Sequence, residues 1–532
     1  MTATIQIVLF LLAVLVVIAV VAQRLKLPPS ILLVVGGIAL ALVPGLPPLE
    51  LAPELVLLVL LPPLIYSAGV SMSWREFRFN LRPITLLAFG CVVFTTCAVA
   101  LAIHHLLGWQ WGAAFALGAI VAPPDVVAPL AIARRLGLPH RILVVLEGEG
   151  LANDATALIL YRFAVFAVVT GAFSFADAAA TFGMIVVGEI IYGIGVGWLS
   201  LRLRQWAKNP RVEITLSLMT PYLAYWIPQH LGGSGVLATV ACGLYVSWNG
   251  PRLIPAATRL QGIFFWDLIV YLIEGFVFLI TGLQARSLIE KAHDFPIGEL
   301  LIAIAVTAAI VIVARFIWVF PATYLPRLIP AVRRRDPSPP WRHVFVLGFT
   351  GVRGVVSLAA ALAIPLTIEG GAPFPHRDLI LFATFGVIII TLVGQGLMLP
   401  SVIRRLGIVN DGRAERRRQQ EAELAARSQA IEAAQRHLER IASERKLSDD
   451  VVALLNARHD HRMRYIPSDL DAGLAQIHVG NDLRLELIAE ERRFLYQLLR
   501  DGKINDESRR RLERELDLEE ATILARRDET PL

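Results

Sequence analysis

The sequence predicts an all-α polytopic membrane protein that continues into a helical tail. Hydrophobic residues make up 56% of its 532 residues, the mean hydropathy is +0.61, and charged residues are only 18%. Much of that charge follows residue 404, so the first four hundred residues are more apolar still. This composition argues against an ordinary soluble protein and is typical of a chain that crosses the bilayer many times.

About thirteen segments are apolar enough to cross a bilayer, because each crossing needs about 20 mostly apolar residues. They lie at 5–22, 29–46, 51–70, 83–107, 111–134, 141–169, 176–201, 212–230, 233–248, 263–284, 297–325, 343–366 and 378–403. Lys and Arg follow the odd-numbered segments, as at Arg24, Lys26, Arg134 and Arg135, and are scarce in the other loops. The positive-inside rule then predicts an external N-terminus and a cytoplasmic C-terminus, and it explains the net charge of +6 without a nucleic-acid partner.

The composition changes sharply after the last apolar segment. We therefore predict a transmembrane domain over 1–408 and a cytoplasmic helical tail over 409–532, with a turn at Asp501 and Gly502. The tail is interpreted first as a solvated helical appendage, and alternatively as a regulatory module or one that supports a dimer. HDHR at 459–462 resembles a metal site only weakly, and solvated histidines explain it as well.

Charged residues also occur inside the apolar segments, where an isolated charge costs about 2.5–3.5 kcal/mol. Such groups need a partner, a water-filled cavity or protonation. The candidates are Asp125, Glu147, Glu149, Asp154, Glu189, Asp267, Glu274, Arg315 and Arg353.

Asp125 follows two consecutive prolines in GAIVAPPDVVAPLA. Pro123 and Pro124 each remove an amide donor and clash with the preceding turn, so the helix is expected to break there. Irregular backbone at membrane depth is tolerated where it lines an enclosed cavity. Carbonyl oxygens beside a carboxylate suit a hard cation, although a plain proline kink is the simpler alternative.

The segment LEGEGLANDATALIL at 146–160 carries three carboxylates. Glu147 and Asp154 are seven residues apart and share one face of a helix, whereas Glu149 and Asn153 share an adjacent face. Asp154 precedes an apolar run and is expected to lie deepest, with Glu147 in an aqueous funnel near the cytoplasmic end. For Glu149, a structural ion pair is favoured over direct cation ligation.

GFTGVRGVVSLAAALAIP at 348–365 predicts a second interrupted helix, because glycines surround Arg353 in mid-segment. The fifth and twelfth predicted segments are an odd number apart, so two six-segment halves would have inverted topology. Paired interrupted helices of this kind are typical of inverted-repeat secondary transporters. Arg353 would then compensate a nearby carboxylate, most simply Glu149.

These motifs resemble the cation:proton antiporter-1 family, the sodium/proton exchangers. EGEGLANDATALIL is similar to the EGES-x-x-ND-x-x-A block of that family, and APPDVVA to its unwound T-D-P-V-A segment. LPPLIYSAGV, FVFLITGLQ, FTGVRGVVSLAAALAIP and TLVGQGLMLP resemble further blocks, and the tail resembles that of the bacterial branch. The resemblance covers essentially the whole chain.

The resemblance implies a thirteen-helix antiporter of the bacterial inner membrane, usually a homodimer, that needs no cofactor. Asp154 would bind cation and proton in turn, supported by Asp125 and the carbonyl of Pro124. Glu149 would pair with Arg353, and Arg315 is a further charge-compensating candidate. Asn153, where a related branch has a second Asp, implies electroneutral one-for-one exchange.

Three positions depart from the family pattern. Gly150 replaces the serine that supplies a hydroxyl ligand, Pro124-Asp125-Val126 replaces Thr-Asp-Pro, and Ser67 replaces a usual Glu. The transported cation could therefore be Na⁺, Li⁺ or K⁺.

Two other functions remain open at this point. The chain could be a channel or sensor that has kept the fold without exchange. GGSG at 232–235 also fits the G-x-S-G of rhomboid proteases, with Ser234 as nucleophile. A nucleophilic serine needs a base within reach, and no histidine after Ser234 lies inside an apolar segment.

Overall fold

The apolar segments form helices because a backbone inside a bilayer must satisfy its own amide and carbonyl groups. The computed structural model describes residues 2–44, 52–171, 174–292, 295–369, 371–445, 448–464 and 470–529. In that part of the chain the regular structure is helical, apart from one isolated bridge between Thr367 and Pro373. The predicted all-α fold class is confirmed.

The first half of the membrane region contains twelve helices, two of them extended by π-helical turns. They are α1 (Thr2–Leu25), α2 (Pro29–Ala41), α3 (Leu61–Ser71, preceded by π-helical Leu55–Leu60), α4 (Trp74–Phe79), α5 (Leu81–Thr85), α6 (Val92–Leu107, preceded by π-helical Leu86–Cys91), α7 (Trp111–Val121), α8 (Val127–Leu136), α9 (His140–Thr170), α10 (Phe175–Ala207), α11 (Pro210–His230) and α12 (Val236–Leu253), as far as the described residues extend.

The second half continues with α13 (Ala256–Leu283), α14 (Ala285–Ala292), α15 (Ile297–Tyr324), α16 (Pro330–Arg335), α17 (Trp341–Phe349), α18 (Val355–Leu362), α19 (Arg377–Ile389) and α20 (Gly396–Arg405). A 3₁₀ turn, Leu325–Leu328, follows α15, and π-helical Ile390–Gln395 joins α19 to α20. Within the described residues, seven helical stretches are long and apolar enough to cross a membrane, and three shorter apolar ones accompany them. The total of thirteen crossings and the inverted repeat remain predictions.

The helices of the membrane region pack as two groups. Helices α1–α3 and α10–α13 pack mainly against one another, and we call them the scaffold bundle. Helices α5–α9 and α15–α20 form the crossing bundle, named for the two interrupted helices α7–α8 and α17–α18. The bundles meet where α9 contacts α12 and where α13 contacts α18. The interrupted helices therefore lie close to the boundary between the bundles.

The chain divides into two compact units, Met1–Arg413 and Ala414–Leu532. Helix α21 (Ile408–Arg445) runs through this division, and α22 (Asp449–Arg464), α23 (Leu470–Arg500) and α24 (Asp506–Glu529) follow. The division falls a few residues beyond the predicted boundary at 408, which stays a prediction.

In the second unit, α23 and α24 form a hairpin. Ile488 and Ile523 are buried, and Arg484 bonds to Glu519 at 2.6 Å. The turn comes at Asp501 and Gly502, as predicted, and Gly502 has a φ of +68°. The described residues contain no group of three His, Cys, Asp or Glu side chains that could hold a metal, and the side chains of His461 and Arg462 lie outside them.

Candidate functional site

The break between α7 and α8 is built by the two prolines and completed by Asp125. Helix α7 ends at Val121 and α8 begins at Val127, with non-helical backbone between them. The Asp125 carboxylate accepts a hydrogen bond from the Val127 amide at 2.9 Å, so it satisfies a free donor at the start of α8. The Asp125 amide donates to the carbonyl of Val352 at 2.7 Å. This bond joins the two interrupted helices at their breaks, and the first predicted interruption is confirmed.

The break between α17 and α18 is also confirmed, and it depends on glycine. Residues 350–354 leave the helix, and a Cβ placed on Gly354 would overlap the Asp125 carboxylate. A side chain at position 354 would therefore push the two breaks apart. The amide of Arg353 donates to the hydroxyl of Thr391 at 2.9 Å, which anchors this segment to the π-helical turn after α19.

Helix α9 is uninterrupted where it passes the two helix breaks, a place we call the crossing. Asn153 and Asp154 of α9 lie there. The side-chain amide of Asn153 donates to the carbonyl of Pro124 at 2.7 Å, and its oxygen accepts from the Asp154 amide at 2.7 Å. Asn153 is fully buried, so these bonds satisfy a group that would be costly unpaired. One carbonyl lone pair of Pro124 is thus engaged, and a second stays free to contact a cation.

Asp154 differs from the acidic residues around it. Its side chain is only partly buried, and its carboxylate forms no hydrogen bond or ion pair with any described residue. It lies within electrostatic range of Asp125. The Asp154 carboxylate, the Asn153 oxygen, the Pro124 carbonyl and Asp125 together offer a set of hard oxygen atoms, which suits an alkali cation.

The predicted ion pair between Glu149 and Arg353 is wrong. Glu149 instead forms a two-pronged pair with Arg315 of α15, with N–O distances of 2.6 and 2.9 Å, and both side chains are almost completely buried. The favoured interpretation of Glu149 as a structural ion pair is supported, although with a different partner. The planar guanidinium of Arg315 matches the carboxylate with two parallel bonds.

Arg353 bonds to backbone rather than to a carboxylate. Its guanidinium donates to the carbonyl of Val121 at 2.7 Å and to the carbonyl of Gly351. Both acceptors are carbonyls that the helix breaks release, so Arg353 satisfies groups that have no helical partner. No described carboxylate lies within ion-pair distance of Arg353, and its charge-compensating role stays a prediction.

The remaining predicted residues lie around this centre. Glu147 pairs with Arg134 of α8 at 2.5 Å and is partly exposed, in keeping with its predicted place nearer the helix start. Gly150 faces Val126, and a Cβ at position 150 would overlap a methyl group of Val126. The space that a serine at 150 would need is therefore filled by the valine that replaces the family proline.

Sequence reasoning missed Thr391, Val126 and Gly354 as members of the site. Thr391 is a polar residue in an apolar segment, which was the available signal. Ser234, the candidate protease nucleophile, is buried and donates its hydroxyl to Glu189 rather than to a histidine. Glu189 also accepts from the amides of Gly235 and Ala238, so this cluster caps the start of α12.

Comparison with known families gives a match over almost the whole membrane region. Residues 10–405 match the family model described as sodium/hydrogen exchanger, transmembrane.

Curated relatives carry corresponding names. An uncharacterized Na⁺/H⁺ exchanger of Mycobacterium tuberculosis is 36% identical over 97% of this chain and 95% of its own length. The Na⁺/H⁺ antiporter ApNhaP of Aphanothece halophytica is 33% identical over 78% of this chain and 75% of its own length. A sodium, potassium, lithium and rubidium/H⁺ antiporter of Bacillus pumilus is 34% identical over 70% of this chain and 57% of its own length.

Among solved structures, the fold matches the sodium proton antiporter MjNhaP1 from Methanocaldococcus jannaschii. The TM-score is 0.60 at 17% identity, over 76% of this chain and 99% of that one. At this identity the match supports the fold and leaves the site to be argued from this chain's own residues.

Proposed function

This chain belongs to the sodium/hydrogen exchanger family, and we propose that it exchanges one alkali cation for one proton across the membrane, with Asp154 binding each in turn. Na⁺ is the first candidate for the cation, since two relatives are named for Na⁺ exchange alone. Li⁺ and K⁺ remain candidates, since the Bacillus pumilus relative is named for these ions as well.

The observation that carries the proposal is the contrast in partners around Asp154. Glu149 and Glu147 are each held by an arginine, whereas the Asp154 carboxylate has no partner among the described residues. A carboxylate at this depth is stabilised when it takes up either a proton or a cation. It cannot hold both at once, so competition for Asp154 couples the two fluxes.

Exchange also requires that Asp154 reaches each side of the membrane in turn. The division into a scaffold bundle and a crossing bundle suits a rocking motion of the second against the first. An empty, charged Asp154 would be costly to move through the bilayer, which suppresses leak without exchange. Because Asn153 is neutral, only the charge of Asp154 changes in the cycle, and one-for-one exchange is electroneutral.

The proposal also covers the membrane in which the protein lies, its orientation and its assembly. We place it in the bacterial inner membrane with the N-terminus outside and the C-terminus in the cytoplasm, on the positive-inside distribution of Lys and Arg. The proposed assembly is a homodimer, as the family resemblance implies. The end of the crossing where Arg134 and Glu147 lie is then the cytoplasmic end.

Reconstituted protein tests the proposal directly. Liposomes carry an internal pH dye and an imposed pH gradient, and Na⁺, Li⁺ or K⁺ is added outside. We expect the wild type to collapse the gradient with at least one cation, whether or not the membrane potential is clamped. Asp154→Asn should abolish this response, while Asp177→Asn, which removes an exposed carboxylate of α10, should keep it.

Exchange that persists in Asp154→Asn would refute the proposal that Asp154 binds the cation and the proton. A cation current in place of potential-independent exchange would instead identify a channel.

A further inference from the structure

Helix α13 of the scaffold bundle carries a carboxylate, Glu274, that the exchange mechanism above does not use. Glu274 lies in the second half of this 28-residue apolar helix, where a charge is costly. Its side chain is partly buried. A charge kept at such a position is a candidate for function on physical grounds.

The neighbours of Glu274 place it against the helix crossing. Ile273 and Val277 share one apolar cluster with Ala128, at the start of α8, and with Val352 and Val355, which flank the second break. Glu274 therefore lies on the scaffold where that bundle faces the interrupted helices. Its carboxylate is within electrostatic range of both Asp125 and Arg134.

Arg134, the positive charge within electrostatic range of Glu274, already pairs with Glu147. The two arginines at the helix breaks are engaged as well, because Arg315 pairs with Glu149 and Arg353 donates to backbone carbonyls. Glu274 forms no hydrogen bond or ion pair with any described residue. Glu274 thus lies on the scaffold side of the boundary between the bundles, within electrostatic range of Asp125 on the other side. Two like charges at this depth repel, and a cation between them relieves the repulsion.

We propose that Glu274 is an affinity-determining residue for the alkali cation, which it draws to the crossing from the scaffold side. The proposal rests on the exchange function proposed above. Because Glu274 belongs to the scaffold and Asp154 to the crossing bundle, movement of one bundle against the other changes the distance between them. Glu274 is within electrostatic range of Arg134, which marks the proposed cytoplasmic end. It therefore raises the affinity for the cation when the site is open toward that end, and has a smaller effect when the site is open to the other side.

The test compares cation affinity at the two faces of the membrane. Everted vesicles present the cytoplasmic face to added Na⁺, and right-side-out proteoliposomes present the other face. For Glu274→Gln we expect the apparent KM for Na⁺ to rise about tenfold at the cytoplasmic face, since loss of a favourable interaction between a carboxylate and a cation weakens binding on that order. The maximal rate and the KM at the opposite face should stay within about twofold of wild type on the same reasoning.

Two further variants separate loss of charge from loss of structure. Glu290→Gln removes an exposed carboxylate that pairs with Arg286 on α14, and it should leave both KM values unchanged. Glu274→Cys is treated with a sulfonate-bearing or a neutral methanethiosulfonate reagent. The sulfonate should restore a low KM and the neutral reagent should not, with treated wild type as control for the native cysteines.

The outcomes distinguish this inference from the exchange function itself. Wild-type exchange with an unchanged cytoplasmic KM in Glu274→Gln would overturn the role of Glu274 and leave Asp154 untouched. So would equal KM values after the two cysteine reagents, or a loss of maximal rate at constant KM. Absence of exchange in the wild type would instead refute the proposed function on which the inference rests.

Discussion

Helix α9 holds two acidic residues in opposite circumstances, five positions apart. Glu149 is completely buried and fully bonded to Arg315, whereas Asp154 is partly exposed and its carboxylate has no partner among the described residues. Burial of a charge must be compensated, and α15 supplies the compensation for Glu149. Asp154 lacks such compensation, and on this ground we propose that it binds cation and proton. The difference teaches that a buried carboxylate with a fixed partner is closed to other ligands, whereas a carboxylate without a protein partner is open to the proposed exchange.

The largest effect on stability is expected from breaking the ion pair between Glu149 and Arg315. Arg315→Met leaves Glu149 buried without a counter-charge, which costs about 3–5 kcal/mol. The midpoint of thermal unfolding in detergent should fall sharply. The double variant Arg315→Met/Glu149→Leu should recover most of the loss, since an apolar pair can replace a buried ion pair. Asp154→Asn should leave the midpoint close to wild type while exchange is lost.

That prediction fails if Arg315→Met unfolds like the wild type, or if the double variant is no more stable than the single one. Either result would mean that the Glu149–Arg315 pair does not stabilise the crossing bundle.

The next largest effect is expected from removing the hydrogen bond between Asn153 and the Pro124 carbonyl, which lies beside Asp154. Asn153→Ala removes the donor to the Pro124 carbonyl and should cost about 2 kcal/mol in stability. Because the crossing then loses its tie to α9, the apparent KM for the cation should also rise in the liposome assay. Thr156→Ala is the matched control, since its hydroxyl bonds within α9, to the Ala152 carbonyl. An equal KM shift in both variants would contradict a specific role of Asn153.

Much of this arrangement could be predicted from the sequence because its causes are local. Pro123 and Pro124 each remove an amide donor and so favour a break in the helix, and hydropathy alone identifies the apolar helices. The partner of Glu149 was predicted wrongly, because Arg315 is 166 residues away and Arg353, in the second interrupted helix, was the cation that the sequence favoured. Which arginine meets the carboxylate depends on how α15 packs against α9. The same holds for Thr391, whose role appears only when the second break is placed against the turn after α19.

A smaller effect on stability is expected when Gly150 is replaced by serine, the residue that is usual in the family at this position. Gly150→Ser forces its side chain into Val126, and overpacking of this size costs about 1–2 kcal/mol. Gly150→Ser/Val126→Ala should be more stable than the serine variant alone, because the smaller residue makes room. The unfolding midpoints of both single variants and the double variant form a double-mutant cycle. Additive effects would show that the two positions do not compete for space.

The smallest effect lies outside the membrane, where a second charged cluster can be compared with the buried pair. Asp336 accepts hydrogen bonds from Arg141 at 2.6 Å and Arg327 at 2.8 Å, and also from Arg82. Burial raises the pKa of Asp336, but the bonds and charges of Arg141 and Arg327 outweigh it and hold the pKa below the usual range. Arg327 is buried, but Arg82 and Arg141 are partly exposed, so the contribution to stability is about 1 kcal/mol.

A lowered pKa in the folded protein fixes the direction of the pH dependence. The stabilisation by Asp336 is fully present above the unfolded pKa of about 4 and is lost as the pH falls through the lower, folded value. Asp336→Asn should therefore unfold at a lower temperature than wild type at pH 6, and the difference should shrink as the pH falls below about 4 and vanish only below the folded pKa. Asp177→Asn, which changes an exposed carboxylate, should match the wild type throughout. If Asp336→Asn still unfolds at a lower temperature than wild type at a pH below the folded pKa of Asp336, the asparagine disturbs packing and not only charge.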